Sequence, residues 1–470
     1  MKASQEKRAL TKEHKFINED YINNLLNNEN EPTLEEVKTI VDKSMNKDML
    51  TVEETATLLR IKNEDHLAIV FDAARRLKER IYGNRIVMFA PLYVSNYCVN
   101  GCTYCGYKCS NKFDRKILTD EELREEARVL IEMGHKRIAF EAGEDDVHCP
   151  IDYVLHAMDV LYKTKVENGA LRRINVNVAA TTVENYKKLK AADIGTYILF
   201  QETYHEAAYK DYHPTGPKSN YLYHLTAMDR AMEGGIDDVG VGALFGLHDY
   251  RFEVLALMQH RDHLEEKYGV GPHTISVPRI KKAKDVSVSD MPHAVSDEEF
   301  KKLVAIIRLA VPYVGIILST REEAAFREEV IKLGVSQISA GSKTDVGGYK
   351  EDDQMESQFE LADHRPQGEI IESLLNKGFL PSYCTACYRA GRTGDRFMQV
   401  AKNGTIQNLC HPNAMMTLKE YLMDYADDDL RTTGNKVIEE NIGQIPNEKM
   451  RAKTIDRLKR IENGERDLFF

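Results

Sequence analysis

The sequence of 470 residues predicts an α/β protein built on a full (β/α)8, TIM-type barrel. Eight short apolar runs, each suited to a buried strand, alternate with amphipathic helical segments such as 120–133 and 297–310. This alternation predicts a parallel sheet, and eight strands fit a closed barrel. The alternative is an open barrel of six strands with the last two elsewhere. The eight runs are 86–95, 137–140, 174–178, 197–200, 239–245, 274–278, 314–318 and 335–339.

A barrel of this kind needs about 250 residues, so chain remains at both ends. Residues 1–80 are polar with helical spacing, and capping-box patterns at Thr33 and Glu36 and at Thr51 mark two helix starts. We predict a helical N-terminal extension over 1–80, a barrel over 81–345 and a C-terminal domain over 346–470.

The composition excludes some functions. A net charge of −11 argues against nucleic acid as a partner, because phosphate binding needs concentrated lysine and arginine. No apolar run reaches the length of a membrane span, and the first eight residues contain no apolar signal core. We therefore expect a cytoplasmic protein that binds neither nucleic acid nor membrane.

Three cysteines follow the first predicted strand at C-x3-C-x2-C spacing: Cys98, Cys102 and Cys105. Three thiolates can hold a 4Fe–4S cluster by three corners and leave the fourth iron free for an outside molecule. Cys109 lies at a spacing that would allow a different set of three. A zinc knuckle, or cysteines with a purely structural role, would also fit this spacing.

This loop, with the aromatic Tyr104 before its third cysteine, resembles that of the radical S-adenosyl-L-methionine (SAM) enzymes. The resemblance implies that Cys98, Cys102 and Cys105 hold the SAM-binding 4Fe–4S cluster and serve catalysis. Gly143 and Glu144 stand where that family has a Gly-Gly-Glu motif, which binds the amino group of the methionine portion. Ala142 replaces the first glycine of the motif.

Polar residues at the ends of further predicted strands are also site candidates, because chemistry in such barrels gathers at the C-terminal strand ends. Asn177 and Glu202 are candidates for binding the cofactor, and Ser319 and Arg321 for binding the substrate. The fork of a guanidinium suits the carboxylate of an amino acid. The alternative is that these residues cap helices and that Arg321 pairs with Glu322 or a neighbouring acid.

A second set of cysteines, Cys384, Cys387 and Cys410, has C-x2-C-x22-C spacing. Alone, it fits either a cluster with an open iron or a zinc site completed by His411. The upstream radical SAM loop favours an auxiliary 4Fe–4S cluster. Clusters with exposed corners are damaged by oxygen, so an anaerobic host is expected.

Both cysteine patterns, the segment 201–205 and the total length resemble the HydG family, the radical SAM tyrosine lyases that mature FeFe-hydrogenase. The resemblance implies cleavage of the Cα–Cβ bond of L-tyrosine to p-cresol and dehydroglycine. It further implies conversion of dehydroglycine to carbon monoxide and cyanide at the second cluster. An Fe–CO–CN unit would then pass to a maturation scaffold protein for assembly of the hydrogenase H-cluster. The partners implied are L-tyrosine, SAM, free L-cysteine and a reducing electron donor.

In that family a histidine in the segment matching 269–274 holds an additional iron, which is bridged by the free cysteine. Here this histidine is His273, at the N-terminal end of the sixth strand and thus at the bottom of the barrel. The C-terminal domain must then cap the bottom, with a channel through the barrel. The small or polar inward candidates that could open it are Gly240, Gly242, Ser276 and Ser339. Cys109 and Cys149 are expected to be ordinary thiols.

Two further functions fit part of the sequence. A 2-iminoacetate synthase of thiamine thiazole biosynthesis would share the barrel but has no need of the second cysteine set. A non-catalytic iron–sulfur scaffold or electron carrier would need neither Glu144 nor an amino-acid anchor such as Arg321.

Overall fold

The computed structural model describes residues 10–283, 286, 291–350, 357–402 and 406–470. The first eight residues, in which the sequence shows no signal core, lie outside these ranges. Among the described helices, none is both long and apolar enough to cross a bilayer.

Eight parallel strands form a closed barrel, because the last strand pairs with the first through Val87 opposite Gln337. This confirms the full barrel and contradicts the open six-stranded barrel. A short antiparallel hairpin of β3 and β4, which the sequence did not predict, precedes the third barrel strand. The strands are β1 (Arg85–Ser95), β2 (Arg137–Ala142), β3 (Lys165–Val166), β4 (Gly169–Ala170), β5 (Arg173–Asn177), β6 (Tyr197–Ile198), β7 (Val239–Gly242), β8 (Thr274–Ser276), β9 (Gly315–Leu318) and β10 (Gln337–Ser339).

Four helices precede the barrel, as predicted: α1 (Glu19–Leu26), α2 (Leu34–Met45), α3 (Val52–Leu59) and α4 (Glu64–Tyr82). The capping box forms at α2, where the Thr33 hydroxyl accepts from the Glu36 N–H and the Glu36 carboxylate accepts from the Thr33 N–H. The apolar faces of these helices pack on two barrel helices, so the extension covers one flank of the barrel.

Helices between the strands surround the barrel and bury its outer face. The two predicted amphipathic segments form α5 and α12. The helices are α5 (Asp120–Glu132), α6 (Ile151–Lys163), α7 (Val183–Ala191), α8 (Glu206–Tyr212), α9 (Tyr221–Leu225), α10 (Ala227–Glu233), α11 (Tyr250–Tyr268), α12 (Asp297–Ala310) and α13 (Ala324–Ile331).

The C-terminal part is helical except for one more strand, β11 (Leu380–Ser382), which pairs in parallel with the first residues of β1. Strand β11 extends the barrel wall at its bottom, so the segment after it starts beneath the barrel. The predicted domain boundaries at 80 and 345 stay predictions. The helices are α14 (Gln367–Asn376), α15 (Ala386–Arg389), α16 (Gly394–Lys402), α17 (Gln407–Asp424), α18 (Asp428–Ile442) and α19 (Glu448–Glu462).

Candidate active site and second cysteine site

A cavity at the C-terminal ends of the strands brings together most of the residues that the sequence singled out. Ser319 borders an adjoining chamber deeper in the barrel, whose wall shares Arg321 and Asn177 with the upper cavity. The predicted residues around the upper cavity are Cys98, Cys102, Tyr104, Cys105, Gly143, Glu144, Asn177, Glu202 and Arg321.

The cysteine loop after β1 is fixed by backbone hydrogen bonds to neighbouring segments. The N–H of Val99 donates to the carbonyl of Glu144 (2.9 Å), and that of Gly101 to Thr215 (3.1 Å). A Cβ atom at Gly101 would overlap the Thr215 hydroxyl, and one at Gly143 would overlap the Tyr97 carbonyl. These two glycines therefore allow the close approach of the cysteine loop to its neighbouring segments.

The three thiols of this loop fit a cluster ligand set. Cys102 is buried and the remaining two are half-buried, whereas Cys109 is exposed, which favours Cys98 over Cys109 as the third ligand. Burial raises the pKa of Cys105 to about 11 and that of Cys102 further. The free thiols of Cys102 and Cys105 stay protonated at neutral pH, so binding of positively charged iron is what would convert them to thiolates.

Tyr104 is held rigidly beside the cysteines. Its ring is buried, and its hydroxyl lies 2.8 Å from Nε2 of His213. Burial lowers the pKa of His213 to about 3, so the imidazole is neutral and can share this hydrogen bond. The aromatic that identifies the loop in the sequence thus forms part of the cavity wall.

The two predicted acidic residues of the cavity each have a partner that the sequence did not reveal. The side-chain amide of Asn100 donates to Glu144 (2.6 Å), and the ammonium of Lys218 pairs with Glu202 (2.7 Å). Glu202 has a φ of 69°, in the left-handed region that non-glycine residues rarely adopt. Asn100 lies within the cysteine loop and Lys218 in a short 3-10 turn, and neither contact follows from spacing in the sequence, so only the fold reveals the pairing.

Arg321 has an uncompensated charge. Its guanidinium stacks on the ring of Phe359 at 3.4 Å, and within the described ranges it forms no ion pair. Glu322, the neighbouring acid that could have paired with it, pairs instead with Arg279 and with Lys281 (3.0 Å). Arg321 therefore presents a free guanidinium to the cavity, as an anchor for a carboxylate requires.

Glu141 is a half-buried acid in this wall that the sequence did not single out. Its carboxyl borders both the upper cavity and the chamber below, and Asn177 is its hydrogen-bond partner. Burial raises the pKa of Glu141 to about 8. A glutamate beside a Gly-Glu motif looks in the sequence like part of that motif, which is why it was missed.

A second cavity lies at the opposite end of the barrel and is bordered by Cys384, Cys387, Cys410 and His273. Arg137, the first residue of β2, donates to the carbonyl of Cys384 at 3.2 Å, which ties the cysteine segment to the barrel. A hydrogen bond from Cys410 lowers the pKa of Cys387 to about 6. This donor set of three thiols fits a second cluster with one open iron.

His273 carries an available nitrogen lone pair. It is 7% exposed, and burial lowers its pKa to about 4. Its Nδ1 lies 3.6 Å from the Asp238 carboxylate and has no hydrogen-bond partner within the described part of the chain. A neutral imidazole of this kind can bind iron. His411, the histidine that would complete a zinc site, is not among the described residues that line the cavity, and its Nε2 lies 3.4 Å from the Asn441 carbonyl, so the lining favours His273.

Three buried arginines complete the lower cavity: Arg85, Arg137 and Arg173. Each is the first residue of a barrel strand, a pattern that is visible in the sequence but was not recognised there. Arg173 stacks on Tyr388 at 3.1 Å. Their positive charge suits anionic thiolates and anionic small molecules.

Family models match two parts of the chain. The Radical SAM superfamily model matches residues 92–260, and the Biotin and Thiamin Synthesis associated domain model matches residues 276–380. The 2-iminoacetate synthase of Salmonella typhimurium is 31% identical over 343 residues, which are 73% of this chain and 89% of that protein. The Escherichia coli enzyme of the same name is 31% identical over 76% of this chain and 93% of its own length.

Solved structures extend the similarity to almost the whole chain. A crystal structure of HydG, a maturase of the FeFe-hydrogenase, is 58% identical with a TM-score of 0.95, covering 97% of this chain and 100% of that one. HydG from Carboxydothermus hydrogenoformans is 40% identical with a TM-score of 0.83, covering 96% and 100%. The chain therefore belongs to the radical SAM superfamily, in the family that contains the FeFe-hydrogenase maturase HydG and is related to 2-iminoacetate synthase.

Proposed function

We propose that this protein is a radical SAM tyrosine lyase that produces carbon monoxide and cyanide for the H-cluster of FeFe-hydrogenase. The observation that carries the proposal is the pair of cavities, each bordered by three cysteines, at opposite ends of one barrel. A lyase that released dehydroglycine directly into solution would need only the upper of these two cavities.

In the upper cavity, Cys98, Cys102 and Cys105 would hold the first cluster, which with bound SAM would supply a 5′-deoxyadenosyl radical. Gly143, Glu144, Asn177 and Glu202 hold SAM, while Arg321 with Ser319 anchors the carboxylate of tyrosine. The anchor directs the amino group towards the radical, which takes a hydrogen atom from nitrogen. The Cα–Cβ bond then breaks to give p-cresol and dehydroglycine, with an external reductant supplying electrons.

In the lower cavity, the second cluster at Cys384, Cys387 and Cys410 supports conversion of dehydroglycine to carbon monoxide and cyanide. His273 and a free L-cysteine hold the additional iron, which leaves as cargo in an Fe–CO–CN unit. The arginines at the starts of β1, β2 and β5 attract the dehydroglycine carboxylate. A hydrogenase maturation scaffold protein receives the product.

The direct test is an anaerobic assay of reconstituted protein with SAM, a reductant, free L-cysteine and L-tyrosine. We expect 5′-deoxyadenosine, p-cresol, carbon monoxide and cyanide. No p-cresol from protein with intact clusters would refute the tyrosine-lyase proposal. A non-catalytic scaffold or electron carrier would form none of the four products.

The 2-iminoacetate synthase activity is the second candidate, because relatives of that name match across most of the barrel. A Cys384→Ala, Cys387→Ala double variant separates the two. We expect it to keep forming p-cresol and to lose carbon monoxide. Cys109→Ala, a change of an exposed cysteine, is the control and should retain both. If the wild type forms p-cresol without carbon monoxide or cyanide, the second candidate is correct.

A further inference from the structure

Glu141 occupies a place in the barrel wall to which the proposed function gives no role. It lies near the C-terminal end of β2, opposite Tyr93 of β1 on one side and Asn177 of β5 on the opposite side. Its side chain borders the upper cavity and the chamber below it, where the amino-acid substrate would sit.

Glu141 has no cation as a partner in the described part of the protein. Asn177 is its hydrogen-bond partner, and Arg321 attracts its ionised form electrostatically, but no cation lies within ion-pair distance of it. With a pKa of about 8, Glu141 is mainly the neutral acid at pH 7, and a positively charged ligand beside it would favour the carboxylate.

The remaining charged groups around the cavity already have protein partners. Lys218 binds Glu202 and Lys281 binds Glu322. Glu144, which our proposal assigns to SAM, accepts a hydrogen bond from Asn100. Tyr93, the neighbour of Glu141 on β1, donates its hydroxyl hydrogen to Gln358 at 2.9 Å. Among these described wall residues, one free cation and one free acid remain, Arg321 and Glu141. Both residues border the same space. A zwitterionic α-amino acid could therefore place its carboxylate at Arg321 and its ammonium group at Glu141.

We propose that Glu141 binds the ammonium group of the amino-acid substrate opposite Arg321 and takes one proton from it. This inference rests on the proposed function, in which the radical abstracts hydrogen from the amino nitrogen. It assigns Glu141 as the residue that removes a proton from the substrate nitrogen before the radical reacts there.

The chemistry requires such a base. An ammonium nitrogen has no lone pair to stabilise a nitrogen radical, so one N–H bond must first break heterolytically. The bound ammonium favours the ionised form of Glu141, whose own proton leaves to solvent. One ammonium proton then moves to a Glu141 carboxylate oxygen, and the electron pair stays on nitrogen as a neutral amine. The radical then removes a hydrogen atom from this amine. The later reduction of the benzylic radical to p-cresol consumes one electron from the donor and one proton, so the protons balance. The raised pKa of Glu141 makes its carboxylate a stronger base than one at the surface.

The first test compares two ligands. L-tyrosine and its des-amino analogue, 3-(4-hydroxyphenyl)propionate, share the carboxylate and the phenol. We expect the wild-type protein with bound SAM to prefer tyrosine by at least about tenfold in Kd, the size of a charge-assisted hydrogen bond. In Glu141→Gln, which keeps a hydrogen-bonding side chain of the same shape, this preference should disappear. In Arg321→Lys, both ligands should weaken together.

The second test is kinetic. We expect Glu141→Gln to form p-cresol at least about a hundredfold more slowly than wild type at pH 7. Its rate should rise as pH increases towards the pKa of the substrate amino group, because free amine then forms without a base. The affinity for SAM should stay as in the wild type.

Three results would overturn the proposal. They are an unchanged preference for tyrosine in Glu141→Gln, a pH profile of that variant parallel to wild type, and weakened SAM binding as its sole defect. Because the binding comparison needs no turnover, it decides the role of Glu141 even if the wild type releases no p-cresol. That last result would refute the proposed function separately.

Discussion

At the scale of single residues, Arg321 determines how the substrate is held. Replacing it with lysine keeps the positive charge but loses the two-pronged geometry and the stacking on Phe359. We expect Arg321→Lys to raise the KM for tyrosine by about 10-fold to 100-fold, which corresponds to about 1.4 to 2.8 kcal/mol. The measurement is the p-cresol rate against tyrosine concentration.

The control for Arg321→Lys is SAM cleavage without tyrosine, which should match the wild type because the arginine holds no part of the cofactor in our proposal. An unchanged KM would show that the carboxylate binds elsewhere in the cavity.

A second prediction at this scale concerns His273 as the ligand of the additional iron in the lower cavity. Replacing it with alanine removes the free imidazole nitrogen, so we expect loss of the additional iron with little change in 5′-deoxyadenosine formation. Iron content per chain, measured after reconstitution with L-cysteine, checks this. His411→Ala is the matched control, since His411 is also buried near this cavity but faces Asn441. Equal iron content in the His273 variant and the wild type would contradict the assignment.

The residue scale also shows what the sequence could predict. Cys98, Cys102 and Cys105 could be predicted from their spacing together with Tyr104 and the family resemblance, because cluster ligands on one loop lie close in the chain. Lys218 could not be found in this way, since its contact with Glu202 depends on the path of the connection between β6 and β7. The proposed role of Glu141 could not be predicted from the sequence. It depends on the lack of a cation beside its carboxyl group in the described part of the chain, and only the packing of the barrel shows this.

At the scale of elements, the barrel strands were predicted well and β11 was missed. Long apolar runs identify buried parallel strands, whereas β11 has three residues and contains Pro381, which argues against a strand in the sequence. Pro381 is tolerated because β11 is at the edge of the sheet. This short strand positions the lower site, because Cys384 follows it by two residues.

A buried ion pair joins the C-terminal helices to the barrel. Glu420 of α17 pairs with Lys136 just before β2 and with Arg172 (3.2 Å), and its side chain is 1% exposed. Glu420→Gln leaves the buried Lys136 without a counter-charge, whereas Arg172 keeps Asp467 (2.9 Å), so we expect the free energy of unfolding to fall by about 3–5 kcal/mol. Denaturant unfolding of the full chain, monitored anaerobically, measures this.

The comparison variant for Glu420→Gln is Asp159→Asn, which breaks an exposed pair with Lys163 (2.6 Å). It should cost about 0–1 kcal/mol, since water already screens those charges. Similar losses in the two variants would mean that the buried pair does not hold the C-terminal helices in place.

At the scale of the whole molecule, the lower cavity and the chamber below the upper cavity are stacked along one barrel axis. The same strands border both, with alternate residues on each: Val87 and then Phe89 on β1, and Gly315 and then Ile317 on β9. Positions two apart on a strand differ by about 7 Å, so a single layer of side chains separates the cavities. Periodicity could place these residues inside the barrel, but it could not show how much space their side chains leave.

That separating layer is a small apolar cluster of Phe89, Ala139, Ile198 and Ile317. Ala139 is its smallest member, so Ala139→Leu would fill the space through which dehydroglycine has to pass. We expect p-cresol formation to continue, carbon monoxide and cyanide to fall at least about tenfold, and glyoxylate from hydrolysed dehydroglycine to appear in solution. Since overpacking costs about 1–3 kcal/mol of stability, the assay is done well below the melting temperature of the variant.

The control is Ala139→Ser, which keeps the space open and should retain all products. If Ala139→Leu makes carbon monoxide at the wild-type rate, dehydroglycine reaches the lower cavity by a path outside the barrel, and the stacking of the cavities has no role in the reaction.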